Sequence, residues 1–137
     1  KAFDTLPRYQ SALGSGALTV IDDTHCIVDV VKNFCEFFLH ESCGKCTPCR
    51  IGNKRIVEIL ERISSGKGIE EDLEKLTFLG EHIKRTSFCG LGQAAPNPLL
   101  RCLDYFREEF ESHVIEKRCP FNVCPMESPK KIKSLKV

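Results

Sequence analysis

"HESCGKCTPCRIG", residues 40–52, places Cys43, Cys46 and Cys49 three residues apart and then turns into a helix. Thr47-Pro48 reads as the start of that helix, a capping residue followed by proline at the first helical position. The run continues through Ile56, Ile59, Leu60 and Ile63 and stops at Ser64-Ser65-Gly66. Three thiols therefore stand at the entrance of a helix, and the surrounding sequence is helical as well. Ile27, Val31, Phe34 and Phe38 share one face, giving a preceding helix of about residues 25–41 that Asp22, Asp23 or Thr24 can cap. A following helix carries Ile69, Leu73, Leu76 and Ile83, with acids at its start and Lys84-Arg85 at its end, the order a helix dipole favours. A fourth follows Pro96 and Pro98, with Leu99, Leu103, Phe106, Phe110 and His113 along one side. Four amphipathic helices with short connections predict a mainly α fold, a four-helix bundle over residues 23–116.

Residues 1–22 read differently. They form loop, a Gly14-Ser15-Gly16 turn and a short strand from Ala17 to Ile21, and so few strands make no stable sheet alone. With no initiator methionine, this segment is expected to be the trailing edge of an upstream domain. Residues 117–137 form an extension with two further cysteines and a basic tail, "PKKIKSLKV", expected to be solvated.

Composition narrows the functions. The formal net charge of +1 argues against nucleic acid as a partner, because such domains carry a basic face. Nothing resembles a signal peptide, and no apolar run reaches the roughly 18–20 residues that cross a bilayer, so no membrane insertion is expected. Nine cysteines are the outlying number. A secreted disulfide framework favours an even count, whereas C-x-x-C spacing without secretion signals points to metal in a reducing, cytoplasmic compartment.

C-x2-C-x2-C suits zinc or an iron–sulfur cluster. Structural zinc is usually held by two separated ligand pairs. Three thiolates in one run plus a distant fourth match the ligands of a [4Fe–4S] cube. Cys89 in "RTSFCGLGQAAP" is the best fourth ligand, because Gly90 and Gly92 beside it let backbone approach a bulky inorganic group. Lys45, Arg50 and the positive helix end would favour reduction of an anionic cluster. The alternatives are a non-redox zinc-binding structural or interaction module, and a thiol–disulfide enzyme using Cys46 and Cys49. The last normally needs a βαβ context that is missing here.

"LGSGALTVIDD", "FFLHESCGKCTPCRIG" and "SFCGLGQAAPNPLL" closely resemble the C-terminal part of the flavoprotein subunit of NADH dehydrogenases and of NAD-linked, often electron-bifurcating, iron hydrogenases. The resemblance covers about residues 12–125. It implies a [4Fe–4S] cluster on Cys43, Cys46, Cys49 and Cys89, the set that spacing suggests. It also implies a four-helix bundle preceded by a ubiquitin-like β domain ending at residue 22, and iron–sulfur partner subunits in a multi-subunit redox complex. The family's FMN and NADH site lies upstream in a glycine-rich segment this chain does not contain. The expectation is an electron relay rather than a site of hydride chemistry.

"HVIEKRCPFNVCP" holds a second candidate site. His113, Cys119 and Cys124 have ligand types suited to zinc. The string resembles the segment that joins the bundle to a two-cluster ferredoxin domain in hydrogenase-type subunits. Cys102 lies eleven residues before His113, about 16 Å along one continuous helix, while ligands of one zinc stand about 3–4 Å apart. A continuous helix therefore leaves Cys26 or Cys35 as the fourth ligand. The resemblance favours Cys26, since a "D-x-x-C-x-V-D" cysteine is a familiar feature of the hydrogenase-type relatives. Cys35 and Cys102 otherwise read as core thiols, and Phe34, Phe37, Phe38, Phe106 and Phe110 as core packing.

Overall fold

Every expected helix forms, and the last of them divides in two. The computed structural model describes residues 4–9, 11, 14, 16 and 18–126. After a 3-10 turn, Leu6–Tyr9, the chain forms α1 (Ile27–His40), α2 (Thr47–Ser64), α3 (Glu71–Thr86), α4 (Gly90–Ala94), α5 (Asn97–Tyr105) and α6 (Arg107–Val114). Among the described residues there is no strand. The segment expected as a strand ends in irregular backbone, with Leu18 and Val20 75% and 86% exposed. Among the described residues it has no neighbouring strand to complete a hydrogen-bonded ladder. Ala17, and the basic tail from residue 129, lie outside the described residues.

The apolar stripes read from the sequence face one another. α1 packs on α2, α2 on α3, α3 on α5, and α5 returns to α1, while α6 lies against α1, α2 and α5. Val28, Val31, Ile56, Leu60, Leu76, Leu99 and Phe110 are buried at this common centre. The expected phenylalanine core is smaller than the helical pattern implied. Only Phe110 of the five is fully buried; Phe37 and Phe106 are 55% and 43% exposed, and Phe37 instead meets Phe38 edge-on at 5.3 Å. No helix among the described residues is long and apolar enough to cross a membrane.

Two local expectations are corrected. Asp22, Asp23 and Thr24 do not cap α1. The Asp22 carboxylate accepts the Thr24 hydroxyl at 2.6 Å and lies 2.7 Å from His25 Nδ1, bonds that lower its pKa to about 2. Cys26 takes the N-cap position, and Glu109 of α6 supplies the missing acceptor, receiving the Ile27 N–H at 3.2 Å. The second correction concerns the fourth helix, which breaks at Phe106, where φ −126° and ψ 32° leave the helical region. α6 is thereby redirected so that Glu109 reaches the start of α1. Cys102 and His113 stand on different helices, so the separation deduced from one continuous helix does not apply to them.

A buried ion pair closes the α2–α3 turn. Asp72 is fully buried; Arg62 reaches both its carboxylate oxygens, with Nε to Oδ2 at 3.0 Å, and the Ile69 N–H donates to Oδ2 at 2.9 Å. Burial pushes the Asp72 pKa up, but Arg62 and the Ile69 N–H outweigh it and leave the carboxyl below its ordinary value. The folded state therefore holds this proton less tightly than the unfolded chain. The pair's contribution is complete above the ordinary aspartate pKa of about 4 and drains away as pH falls below it. Replacing Arg62 with methionine should cost about 2 kcal/mol in urea unfolding at pH 7. The difference from wild type should shrink as the titration is repeated towards pH 3.

Candidate metal centres

The first centre is built where two helices begin. Cys46 is the N-cap of α2 with extended backbone (φ −97°, ψ 135°), Cys49 sits in its first turn, and Cys43 lies in the loop before it. Proline in the first turn of α2 occupies a position whose N–H has no helical partner, so the helix starts without loss. Gly44 turns the loop with φ +74°, and Arg50 Nη1 reaches back to its carbonyl at 2.9 Å. Cys89 is the N-cap of α4 (φ −125°, ψ 165°). The segment 87–89 lies directly on the start of α2. The N–H of Phe88, then that of Cys49, hold the Cys46 thiol below its ordinary pKa.

Gly92 fixes that contact. A β-carbon there would stand 2.6 Å from Ser87 Cβ and Oγ and 3.2 Å from Cys49 Cβ, so only glycine lets α4 come this close. α4 is not among the helices expected from the sequence, where Cys89 stood simply after the third helix beside Gly90 and Gly92. Five residues are too few for a periodic pattern to be visible.

These four cysteines fit a [4Fe–4S] group. The donor set is all thiolate, as such clusters require. Cys46 and Cys49 are buried at the inner side, while Cys43 and Cys89 are exposed. Ser87 Oγ is buried beside Cys46 and adds to the lowering of its thiol pKa. Cys49 Sγ is contacted by Ser42 Oγ at 3.3 Å and by Asn53 Nδ2 at 3.4 Å. The sequence reading passed over both residues, since neither polar type nor spacing marks a donor to sulfur.

The second centre is more tightly drawn. Cys26, His113, Cys119 and Cys124 are all buried, and their ligand atoms lie within 4.8 Å of one another. Cys26 Sγ stands 3.3 Å from His113 Nε2 and 3.5 Å from Cys124 Sγ. His113 Nδ1 meets the Glu109 carbonyl at 2.7 Å, which fixes that nitrogen as the N–H donor and turns Nε2 to the sulfurs. Cys119 and Cys124 are brought round by a tight turn with Asn122 at φ +54°, in which the Asn122 N–H donates to the Cys119 carbonyl at 3.2 Å. Burial pushes the Cys119 thiol up, but the N–H groups of Cys124, Val123 and Phe121 outweigh it and lower its pKa. The bond from the Cys124 thiol brings Cys26 down to about 4 and pushes Cys124 itself up. Burial lowers the His113 pKa, but its bonds to Cys26 and the Glu109 carbonyl carry it up to about 9. Three sulfurs and one imidazole nitrogen at this spacing are a donor set able to hold one metal ion.

The remaining cysteines stay apart from both centres. Cys35 is 4% exposed, and burial pushes its thiol up to about 12, with Cys102 nearby adding to the shift. Cys102, half-buried, is likewise raised by burial.

A helical domain with one buried Cys3His group and three further cysteines at the entrance of a helix falls in the class of small domains built to hold metal. The chain belongs to the family described as the NADH-ubiquinone oxidoreductase-F iron-sulfur binding region, which matches residues 29–113. The NADP-reducing hydrogenase subunit HndC of Solidesulfovibrio fructosivorans is 51% identical over 122 residues, 89% of this chain and 25% of that protein. The F subunit of the NADH-quinone oxidoreductase of Streptomyces coelicolor is 47% identical over 112 residues, 82% of this chain and 25% of that protein. Among solved structures, an NAD+-reducing [NiFe]-hydrogenase in the H2-reduced state superposes with a TM-score of 0.67 at 39% identity, covering 69% of this chain and 17% of that one. The chain spans about a quarter of the length of the curated relatives it matches.

The close contact at Gly92 is testable through stability and metal content together. Gly92→Val should lower the melting temperature of the metal-loaded protein by several degrees, reflecting about 1–3 kcal/mol of overpacking. It should also reduce bound iron. Unchanged values for both would show that α4 can back away from α2.

Proposed function

We propose that this domain is a one-electron relay whose Cys43, Cys46, Cys49 and Cys89 hold a [4Fe–4S] cluster. The observation that carries the reading is the seating of the Cys89 segment on the start of α2, with the Phe88 N–H directed at the Cys46 sulfur. The bound cluster would supply a centre that accepts and releases single electrons without proton chemistry. The protein's own part is to hold four thiolates, to place backbone N–H groups around Cys46, and to keep Cys46 and Cys49 from water. The N-terminus of α2 adds a positive potential that offsets the negative charge of four thiolates. Exposed Cys43 and Cys89 leave one edge open to a redox partner.

The family and the names of the relatives support the wider setting. In our reading the domain serves an NAD(P)H-dependent oxidoreductase of hydrogenase or NADH dehydrogenase type. A flavin bound elsewhere in the same polypeptide delivers electrons, and iron–sulfur partner subunits take them on. Residues 1–22 are read as the end of a β-grasp-like domain, 23–116 as the four-helix iron–sulfur domain and 117–137 as a metal-binding extension. Cys26, His113, Cys119 and Cys124 are assigned to one structural zinc ion, supported by their convergence and by the Glu109 bond that orients His113.

Protein isolated without oxygen should be brown, contain about four iron and four sulfide, and give an EPR signal after dithionite reduction. Cys89→Ser should remain folded and hold a three-iron or damaged cluster; an intact four-iron spectrum would show that the fourth ligand is another residue. A colourless protein containing zinc and no iron would favour the non-redox module instead. Zinc should be present at one ion per chain and be lost in His113→Ala while the iron content stays. Absence of zinc from the purified protein would remove the second assignment.

A further inference from the structure

We propose that Ser42 and Asn53 set the reduction potential of the cluster through hydrogen bonds to one ligand sulfur, that of Cys49. The inference rests on the four-cysteine assignment above and adds to it a pair of residues that bind no iron.

Ser42 and Asn53 approach the same atom from opposite ends of the α2 entrance. Asn53 follows Cys49 by four residues on α2, one helical turn, which puts its side chain beside the sulfur. It is 3% exposed, so its amide is withdrawn from water. A cluster-bound sulfur can only accept, so the face Asn53 turns to Cys49 is its NH2 group, 3.4 Å away. Ser42 lies in the loop ahead of Cys43. Its oxygen accepts the Gly44 N–H at 3.3 Å, which leaves the hydroxyl hydrogen free to point at Cys49 Sγ, also 3.3 Å away. Cys46, by contrast, is served chiefly by backbone N–H groups, which only a substitution to proline would remove.

Hydrogen bonds to ligand sulfurs raise a cluster's potential, because the sulfurs carry more negative charge after reduction and the bonds strengthen. The added electron, from dithionite in a titration, raises the negative charge by one, and two donors aimed at one sulfur stabilise that charge without moving a proton. Both donors are held in place before the electron arrives, Asn53 by burial within a helix and Ser42 by Gly44. Neither has to reorganise.

The test is a dithionite titration of the cluster-loaded protein followed by EPR, comparing wild type with Ser42→Ala, Ser42→Thr and Asn53→Leu. Each loss of a donor should shift the reduction equilibrium about tenfold towards the oxidised form, about 59 mV for one electron. Ser42→Thr, which keeps the hydroxyl, should titrate like wild type. In deuterium oxide, the coupling of an exchangeable deuteron to the reduced cluster should weaken in Ser42→Ala. A potential unchanged in Ser42→Ala and Asn53→Leu, with any loss confined to melting temperature, would make both residues packing elements and overturn the proposal while leaving the relay intact. A wild-type protein without a four-iron signal would instead overturn the relay reading, and this proposal with it. Should Asn53→Leu lose its cluster, the half-buried Ser42 decides alone: an unshifted Ser42→Ala potential overturns the proposal.

Discussion

The first centre depends on how closely α4 can approach α2. Three of its cysteines lie within seven residues, in a loop and the first turn of α2, and need little help from the rest of the fold. The fourth comes from a segment forty residues away, beyond the whole of α2 and α3. That segment reaches the others only because Gly92 presents bare backbone to Ser87 and Cys49. The packing of α2 on α3 sets the approximate position, and the missing side chain closes the last ångströms. Core packing and the approach of the Cys89 segment to Cys49 are in this sense one constraint, met by a glycine.

Charge follows the same layout. Thiolates gathered in one place repel one another, and a protein that assembles them must supply compensation. Here it comes from the free N–H groups at the start of an eighteen-residue helix, from the Phe88 N–H, and from neutral side-chain donors at Cys49. The guanidinium of Arg50 is occupied with the Gly44 carbonyl, so it shapes the loop as well as adding charge. At the second centre, the compensation is different in kind. An imidazole sits among three sulfurs, its outer nitrogen fixed by a main-chain carbonyl, and the group is shielded from water throughout.

Much of this was readable in the sequence, for identifiable reasons. α2 and α3 follow from periodic Ile and Leu with capping and charge signals at their ends, and the cysteine motif marked the iron–sulfur binding family to which the chain belongs. Cys26 was reached through family resemblance, since no local pattern links it to residues nearly ninety positions later. The break at Phe106 was invisible because neither glycine nor proline marks it. It belongs to the tertiary contact in which Glu109 serves α1. The absence of a cap at Asp22 has the same origin: a distant carboxylate took over a role that the local sequence appeared able to fill. Ser42 and Asn53 were missed because a donor to sulfur has no motif.

The meeting of Cys26 and Cys124 has a mechanical side. These residues are 98 positions apart, yet their sulfurs lie 3.5 Å from one another, so the polypeptide enters and leaves the helical domain at a single spot. All six helices hang from that spot as one closed loop. The side chains that meet there close a span of 98 positions without a covalent cross-link.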